Sequence, residues 1–321
     1  MPFHVFLFIG TLVVNLSFYS GAKHIFMPSF DLVKFLELIE KHKVERAFIV
    51  PPIILALAKH PIVDKYDLRS LKCILSGAAP LGGVVQSLCE SRLNVMIKQA
   101  WGMTELSPLG TGVADEMIQL FPSVKRAVLS GTAGLLSPNT EGKIINPTTG
   151  EDIPSNEEGE VCIRGPQVMI GYYENEESTK NMIDTEGWLH TGDVGYFDKD
   201  GFLFITDRCK ELIKYKGFQV APAELEAVIA SMAGVNDVIV IPVDDEIAGE
   251  LPRAYVVRQD NDIGRKLTAI DIDNFVKTKV APHKWLRGGV RFTDVIPKSA
   301  SGKLLRRQQK AIDRANVSKK H

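Results

Sequence analysis

Four short segments combine glycine, which lets a ligand approach the backbone, with side chains able to hold a nucleotide or carry charge. Ser76-Gly-Ala-Ala-Pro-Leu81 sets Gly77, Ala78, Ala79 and Pro80 after an apolar run, where small side chains leave room for a flat ring. A tight strand-to-helix turn uses the same residues. In Gln99-Ala-Trp-Gly-Met-Thr-Glu105, Trp101 can stack on a base, Thr104 can hydrogen-bond a phosphate oxygen, and Glu105 can hold Mg2+ through one carboxylate. The plainer alternative is a solvent-facing loop. Asp193, closing Trp188-Leu-His-Thr-Gly-Asp193, can accept both hydroxyls of a ribose, and Arg208 can reinforce that grip. Lys210, Lys214 and Lys216 follow, interleaved with Glu211 and apolar residues; a solvated strand edge protected by lysines is the competing reading. Pro297-Lys-Ser-Ala-Ser-Gly-Lys303 is a flexible turn that presents Lys303.

The apolar pattern outlines the elements that must position these residues. Asp31 reads as an N-cap, and Leu32, Phe35, Leu36 and Ile39 recur at helical spacing. Strands are predicted at Ala47–Val50, Leu71–Leu75 and Val95–Ile97, with a helix near Gly83–Arg92 between the last two. Strands alternating with helices imply a parallel α/β layer whose loops at the strand C-termini are available for ligands. From about 124 to 206 the pattern changes to short apolar runs broken by Gly, Pro and Asn, which predicts a small β subdomain with a hairpin turn at Asp198-Lys-Asp-Gly201. Beyond Asp207 come a helix opened by Pro222, strands at Val238–Ile241 and Ala254–Val257, a helix near Ile270–Lys279 and a basic terminal helix, an α+β module of its own.

Composition narrows the function. At about 100–200 residues per domain, 321 residues predict two domains or so. With 45% apolar and 24% charged residues the chain is of ordinary globular composition. Thirty-eight basic against 39 acidic side chains leave no global field for nucleic acid or an anionic membrane. Locally, Lys277 to Lys320 holds 13 Lys/Arg against 2 Asp/Glu, a tail suited to polyphosphate; without aromatic interleaving, nucleic acid is not the expected partner. Four widely spaced cysteines read as reduced thiols, and seven histidines contain no H-x-x-x-H pair, so metal chemistry would use oxygen ligands. The apolar run Pro2 to Phe18 is interrupted by polar residues and lacks a basic leader, so it predicts a buried helix rather than a signal peptide or a membrane span.

The four segments, in this order, resemble the adenylate-forming superfamily, and within it the branch of 4-coumarate–CoA ligase, fatty acyl–CoA synthetases and luciferases. The stretch from Gly159 to Glu226 carries the resemblance most heavily, through Gly-Glu-Val-Cys-Ile-Arg-Gly-Pro, Gly-Tyr-Tyr, Gly-Trp-Leu-His-Thr-Gly-Asp and Lys-Tyr-Lys-Gly-Phe-Gln-Val-Ala-Pro. The resemblance implies an α/β chain: a partial large N-terminal domain over 1–206, with the β subdomain at about 124–206, a hinge at 207–210, and a mobile α+β C-terminal domain over 211–321. It implies a two-step ligation using ATP, Mg2+ and coenzyme A: a carboxylate attacks the α-phosphorus to give an acyl-adenylate, then the CoA thiol displaces AMP. Carried over by position, Gly77 to Pro80 with Trp101 and Gly102 form the adenine pocket, Gln99 and Ala100 lie beside the base, Thr104 meets the α-phosphate and Glu105 the magnesium. Asp193 and Arg208 hold the ribose, Lys303 serves the first step, Lys214 and Gln219 the second, Lys210 the hinge, and Lys216 with Gly217 the CoA path. His4, in Pro2-Phe-His4, belongs to a segment near the acyl pocket.

Departures from the pattern are part of the reading. The family's phosphate-cradling loop occurs nowhere in the chain and is expected before its first residue, roughly two-fifths into a typical member, so isolated activity is doubtful. Phe6 and Trp101 stand where tyrosine is usual, and Ser29 where plant members have lysine. Phe6, Phe8 and Met103 suggest a hydrophobic acid, aromatic or fatty. Lys319-Lys320-His321 does not match the Ser-Lys-Leu peroxisomal address, so cytosol is the expected compartment and the peroxisome the alternative. A luciferase-like monooxygenase, a carrier-loading adenylation domain, and a non-catalytic module binding AMP or acyl-adenylate are the alternatives.

Overall fold

A computed structural model describes residues 13–318 except Ala78, Pro80, Ser130 and 300–303. His4, Phe6, Phe8, Ala78, Pro80 and Lys303, all named above, therefore lie outside the described residues. The chain divides into two compact units, Met1–Ile205 and Thr206–His321. Among the described residues no helix is long and apolar enough to cross a membrane.

In the first unit Asp31 caps the helix Leu32–His42 as its sequence requires, its carboxylate accepting from the Lys34 amide at 2.8 Å, and Leu36 and Ile39 turn inward. Three short strands, β1 (Arg46–Ile49), β2 (Cys73–Ser76) and β3 (Met96–Gln99), form a parallel sheet in that order. Parallel neighbours need crossovers. The helix Pro51–Lys59 follows β1, the helix Gly83–Leu93 follows β2, and Ile54, Leu57, Val85 and Cys89 join Ile74 and Ile97 in one core. Because Ser76 is paired with Gln99, β2 and β3 stop at the same level. Their following loops, which hold the first two chemistry-bearing segments, therefore leave the sheet side by side.

The stretch expected to be β from about 124 instead opens on a helix, Pro122–Leu129. Proline suits a first helical turn, and Val124 and Val128, one turn apart, are both buried beside Val113, Ile118 and Phe202. The β structure follows: β4 (Thr111–Gly112) pairs with β5 (Leu135–Leu136), and β6 (Glu141–Ile145), β7 (Gly159–Arg164), β8 (Leu189–Phe197) and β9 (Leu203–Arg208) form a four-stranded sheet. The Asp198 carboxylate accepts from the amides of Asp200 and Phe202, closing the expected turn between β8 and β9. Of the apolar run near the start, Val13 is buried, but Phe18, in the helix Val14–Ser20, is 81% exposed. The burial expected of that run is thus not met at Phe18.

The second unit is a sheet ordered β11 (Phe218–Val220), β10 (Ile213–Tyr215), β13 (Gly249–Arg258), β12 (Val235–Asp245), with β14 (Val290–Phe292) also beside β13. The helices Pro222–Ser231 and Ala269–Lys277 contribute Leu225, Ile229, Ile272 and Val276 to its core. The helix Arg306–Ser318 closes the chain, its buried Asp313 bonded to Arg253, Tyr255 and Arg291.

Candidate nucleotide and thioester sites

Gln99, at the end of β3, has its amide engaged by the neighbouring loop. Oε1 accepts from the Leu81 amide at 3.1 Å, and Nε2 lies within reach of Leu81 O at 3.0 Å, Gly131 O at 3.1 Å and Gln86 Oε1 at 3.2 Å. The side chain expected beside a base is thus also bonded to both backbone groups of Leu81. Ala100 N donates to Ser76 O at 3.0 Å, drawing the two loop roots together. Ala79 is exposed, and a Cβ at Gly77 would lie 3.8 Å from Ala100 O, so the backbone there is narrow and open. The hydroxyl of Ser76, buried at the root of the loop, has no hydrogen-bond partner among the described residues.

Trp101 is almost wholly buried, packed with Leu106, Ile144 and Leu203. Its indole Nε1 donates to Asp193 Oδ2 at 2.7 Å. Asp193 is itself buried; its amide donates to Thr191 Oγ1 at 3.1 Å, and the Thr191 hydroxyl in turn donates to Val161 O at 2.7 Å. A carboxylate fixed this way, with a charge-assisted bond on one oxygen, has the chemistry to accept from a hydroxyl group. Gly102 tolerates no side chain, because a Cβ would fall 2.0 Å from Pro108 O. The tight path this permits leads into a short 3-10 turn, Thr104–Leu106, in which Thr104 is exposed and Glu105 half-buried.

Glu105 has a partner to which the sequence reading assigned no role. Tyr172 donates its phenol to Glu105 Oε1 at 2.8 Å, and burial, then the hydrogen bond to Glu105, push that phenol up to about 12. The Glu105 carbonyl accepts from Met169 N at 2.8 Å, so the segment after β7 braces the turn from two points. An anionic, partly exposed oxygen donor oriented by a protonated phenol suits a hard divalent cation. The only signal for Tyr172 in the sequence is its place in Gly171-Tyr172-Tyr173.

Among the described residues one group of three metal-type donors gathers, Glu160, Cys162 and His190 on β7 and β8. Cys162 is fully buried and its thiol is pushed up to about 12, chiefly by burial and then by Glu160. Burial opposes thiolate ligation, and it outweighs the opposite pull of Lys143, the register partner of Cys162 on β6. Glu160 instead accepts from the Gly192 amide at 3.0 Å, steadying the backbone beside Asp193.

In the second unit Lys214 on β10 and Gln219 on β11 stand opposite each other in register, both exposed. Lys216 and Gly217 make the two-residue hairpin turn between them, with φ of 47° and 83°. That is the left-handed pair which matches the twist of a hairpin, and it accounts for the glycine. The Lys214 amide donates to Glu250 Oε2 at 2.9 Å, and Phe218 stacks on His283 with ring centres 4.7 Å apart. Arg208 and Lys210 are exposed at the end of β9 and in the turn after it. Asp193 belongs to the first unit and Arg208 to the second.

The structure thus brings Gly77, Ala79, Gln99, Ala100, Trp101 and Asp193 together in one unit, with Thr104 and Glu105 on the same loop, and Lys214, Lys216, Gly217 and Gln219 together in the other. Comparison with known proteins finds two family matches that follow one another along the chain. Residues 2–173 match the family described as AMP-binding enzyme, and residues 224–303 match the AMP-binding enzyme C-terminal domain. A probable 4-coumarate–CoA ligase 1 of Dictyostelium discoideum is 47% identical over 293 residues, covering 91% of this chain and 51% of the relative. A 4-coumarate–CoA ligase 1 of Petroselinum crispum is 46% identical over 310 residues, covering 96% and 55%. The chain therefore spans about half the length of the curated relatives it matches. Of solved structures, ATP-bound MatB from Rhodopseudomonas palustris superposes with a TM-score of 0.81 at 26% identity, covering 97% of this chain and 59% of that one. The anthranilate CoA ligase AuaEII in complex with anthranoyl-AMP superposes at 0.83 with 23% identity, covering 96% and 58%, which is a likeness of fold. With more than half of its residues matched by the first of these domains and the second following in order, the chain belongs to the AMP-binding enzyme family.

Proposed function

We propose that this chain carries the nucleotide site and the thioester-forming lobe of an acid–CoA ligase. In that reaction a carboxylate attacks the α-phosphorus of ATP, releasing pyrophosphate and giving an acyl-adenylate; the thiol of coenzyme A then attacks the acyl carbon and AMP leaves. The observation that carries the reading is the buried Asp193 carboxylate, oriented by Trp101 beside the paired loops after β2 and β3. In this reading Asp193 and Arg208 accept and steady the ribose, and Gly77, Ala78, Ala79 and Pro80 flank the adenine. Thr104 donates to the α-phosphate, while Glu105 holds the magnesium that arrives with ATP and neutralises phosphate charge. Lys303 offers a fixed cation to the developing negative charge of the first step. Lys214 and Gln219, matched across the β10–β11 hairpin, serve the second step, and Lys216 and Gly217 lie on the coenzyme A path. Rotation about Lys210 exchanges the two arrangements, and His4 lies near the acyl group.

The substrate is a hydrophobic carboxylic acid, aromatic or fatty. Relatives named as 4-coumarate–CoA ligases and a fold neighbour holding anthranoyl-AMP favour the aromatic class. Four cysteines held as thiols suit a reducing, cytosolic setting. The test is thermal unfolding of the chain with a non-hydrolysable acyl-AMP analogue, which must raise the melting temperature by ligand linkage in the native chain and not in Asp193→Ala. ATP–pyrophosphate exchange across a panel of aromatic and fatty acids then separates a ligase from a module that only binds the adenylate. An analogue that stabilises neither protein, or both alike, ends the proposal.

A further inference from the structure

The segment Asp207-Arg-Cys-Lys-Glu211 alternates its charges in space. Arg208 and Lys210 face solvent, while Asp207 is buried and Glu211 half-buried. The turn closes on itself, with the amides of Glu211 and Leu212 donating to Arg208 O at 2.9 Å and 3.2 Å. Its two acids are drawn toward one cation from the far end of the chain. Arg306, at the start of the terminal helix, donates Nη1 to Glu211 Oε2 and Nη2 to Glu226 Oε2, each at 2.6 Å. Glu226, on the helix Pro222–Ser231, accepts from Val240 N at 2.8 Å through its other oxygen. Asp207 accepts from Arg208 N at 2.7 Å and from Ala223 N at 2.9 Å, the first turn of that same helix, and its charge also faces Arg306 and Glu211. One guanidinium therefore ties together the turn that carries Arg208 and Lys210, the helix behind it, and the terminal helix. On its other flank, Leu305 N donates to Pro297 O at 3.0 Å, and Lys298 is paired with Asp237 at 2.6 Å.

We propose that Arg306 is a positioning residue that holds the Asp207–Glu211 turn with its acids inward, and so keeps Arg208 and Lys210 presented to solvent. The role of Arg208 in nucleotide binding rests on the ligase reading; the mechanical coupling does not. Charge explains why one residue can do this. Three carboxylates, from Asp207, Glu211 and Glu226, converge on a single guanidinium, and removing it would leave acids buried without a counter-ion. Burial already raises Asp207 to about 6 and Glu226 to about 8, against the attraction of Arg306. The hold exerted by Arg306 is therefore greatest where these groups have lost their protons, since a protonated acid offers the guanidinium no charge to pair with. The charged groups that face Asp207 and Glu226 are Arg306 and Glu211, and Glu226 also faces Asp207.

The experiment is hydrogen exchange of the 321-residue chain, read as protection factors corrected for intrinsic rates, at pH 5.5 and pH 8.5. The proteins are the native chain, Arg306→Met, Arg306→Lys and Glu226→Gln. Arg306→Met is expected to lower protection of the Glu211 and Leu212 amides roughly tenfold or more at pH 8.5, with a smaller loss at pH 5.5, while amides in the middle of β12 and β13 keep theirs. Arg306→Lys should restore part of that protection, and Glu226→Gln should flatten its pH dependence. Should Arg306→Met not fold, the other two variants read the same coupling. Loss spread evenly over the second unit, an unchanged turn in Arg306→Met, or a native pH dependence in Glu226→Gln overturns the proposal. None of these readouts needs a nucleotide, so failure of the coupling and failure of the ligase reading are separate results.

Discussion

Trp101 and Asp193 lie 92 residues apart in sequence, yet the indole N–H of one and a carboxylate oxygen of the other are 2.7 Å apart in the core of the first unit. Replacing Trp101 with Phe keeps an aromatic ring but removes the donor. A hydrogen bond to a charged group contributes about 1.5–3 kcal/mol, so the acyl-AMP analogue should bind Trp101→Phe about tenfold or more weakly. Calorimetric titration of the two proteins checks this; equal affinities would mean that Asp193 is oriented by other contacts.

Gln99 makes the same kind of argument for the adjoining loop. Gln99→Ala leaves the Leu81 amide and carbonyl without the partner that meets both, at a cost of roughly 1–3 kcal/mol for buried polar groups left unsatisfied. The expected outcome is a lower urea midpoint together with weaker analogue binding. Gln99→Glu should be intermediate, since it keeps an acceptor for Leu81 N and loses the donor.

Gly102→Ala probes packing rather than polarity. Its new methyl group would overlap Pro108 O at 2.0 Å, a backbone atom that has no rotamer in which to escape. Destabilisation of about 3 kcal/mol or more is expected, from overpacking against a fixed neighbour. Gly150→Ala is a contrasting case: there the added methyl meets nothing, although a positive φ still imposes modest backbone strain. Paired denaturation curves should rank the two clearly.

The buried acids set a direction for pH. In the unfolded chain Glu226 and Asp207 release their protons near the ordinary carboxylate range; in the folded chain they do so near about 8 and about 6. Between those limits the folded state holds more protons, so this contribution to stability is fully present at low pH and is lost as pH rises through the folded values. Denaturation midpoints of the second unit should therefore fall from pH 5 to pH 9 more steeply in the native chain than in Glu226→Gln, which has no proton to lose there. Parallel slopes would show that Glu226 titrates as an ordinary glutamate.

Much of the local structure was legible in the residues themselves. The Asp31 cap, the Asp198 turn and the opening of the helix at Pro222 depend on contacts within a few positions, so sequence spacing is enough to place them. Strand boundaries moved by one to several residues, because a ladder ends where its neighbour ends. The helix Pro122–Leu129 was read as β because the Gly- and Asn-rich strands after it dominated that stretch. Its two inward valines acquire meaning only beside Phe202, which arrives 74 residues after Val128.

The candidate site divides in the same way. Residue types alone left a nucleotide site open beside plain turns and a lysine-protected strand edge, and the resemblance to the adenylate-forming superfamily is what favoured the nucleotide chemistry. Tertiary structure decided how the parts are held: that Gln99 clamps Leu81, that Tyr172 orients Glu105, that Trp101 meets Asp193, and that Arg306 pairs with Glu211 and Glu226. Each of these is a contact between residues distant in sequence, and a bond between distant residues is set by strand register and core packing, which no local pattern encodes.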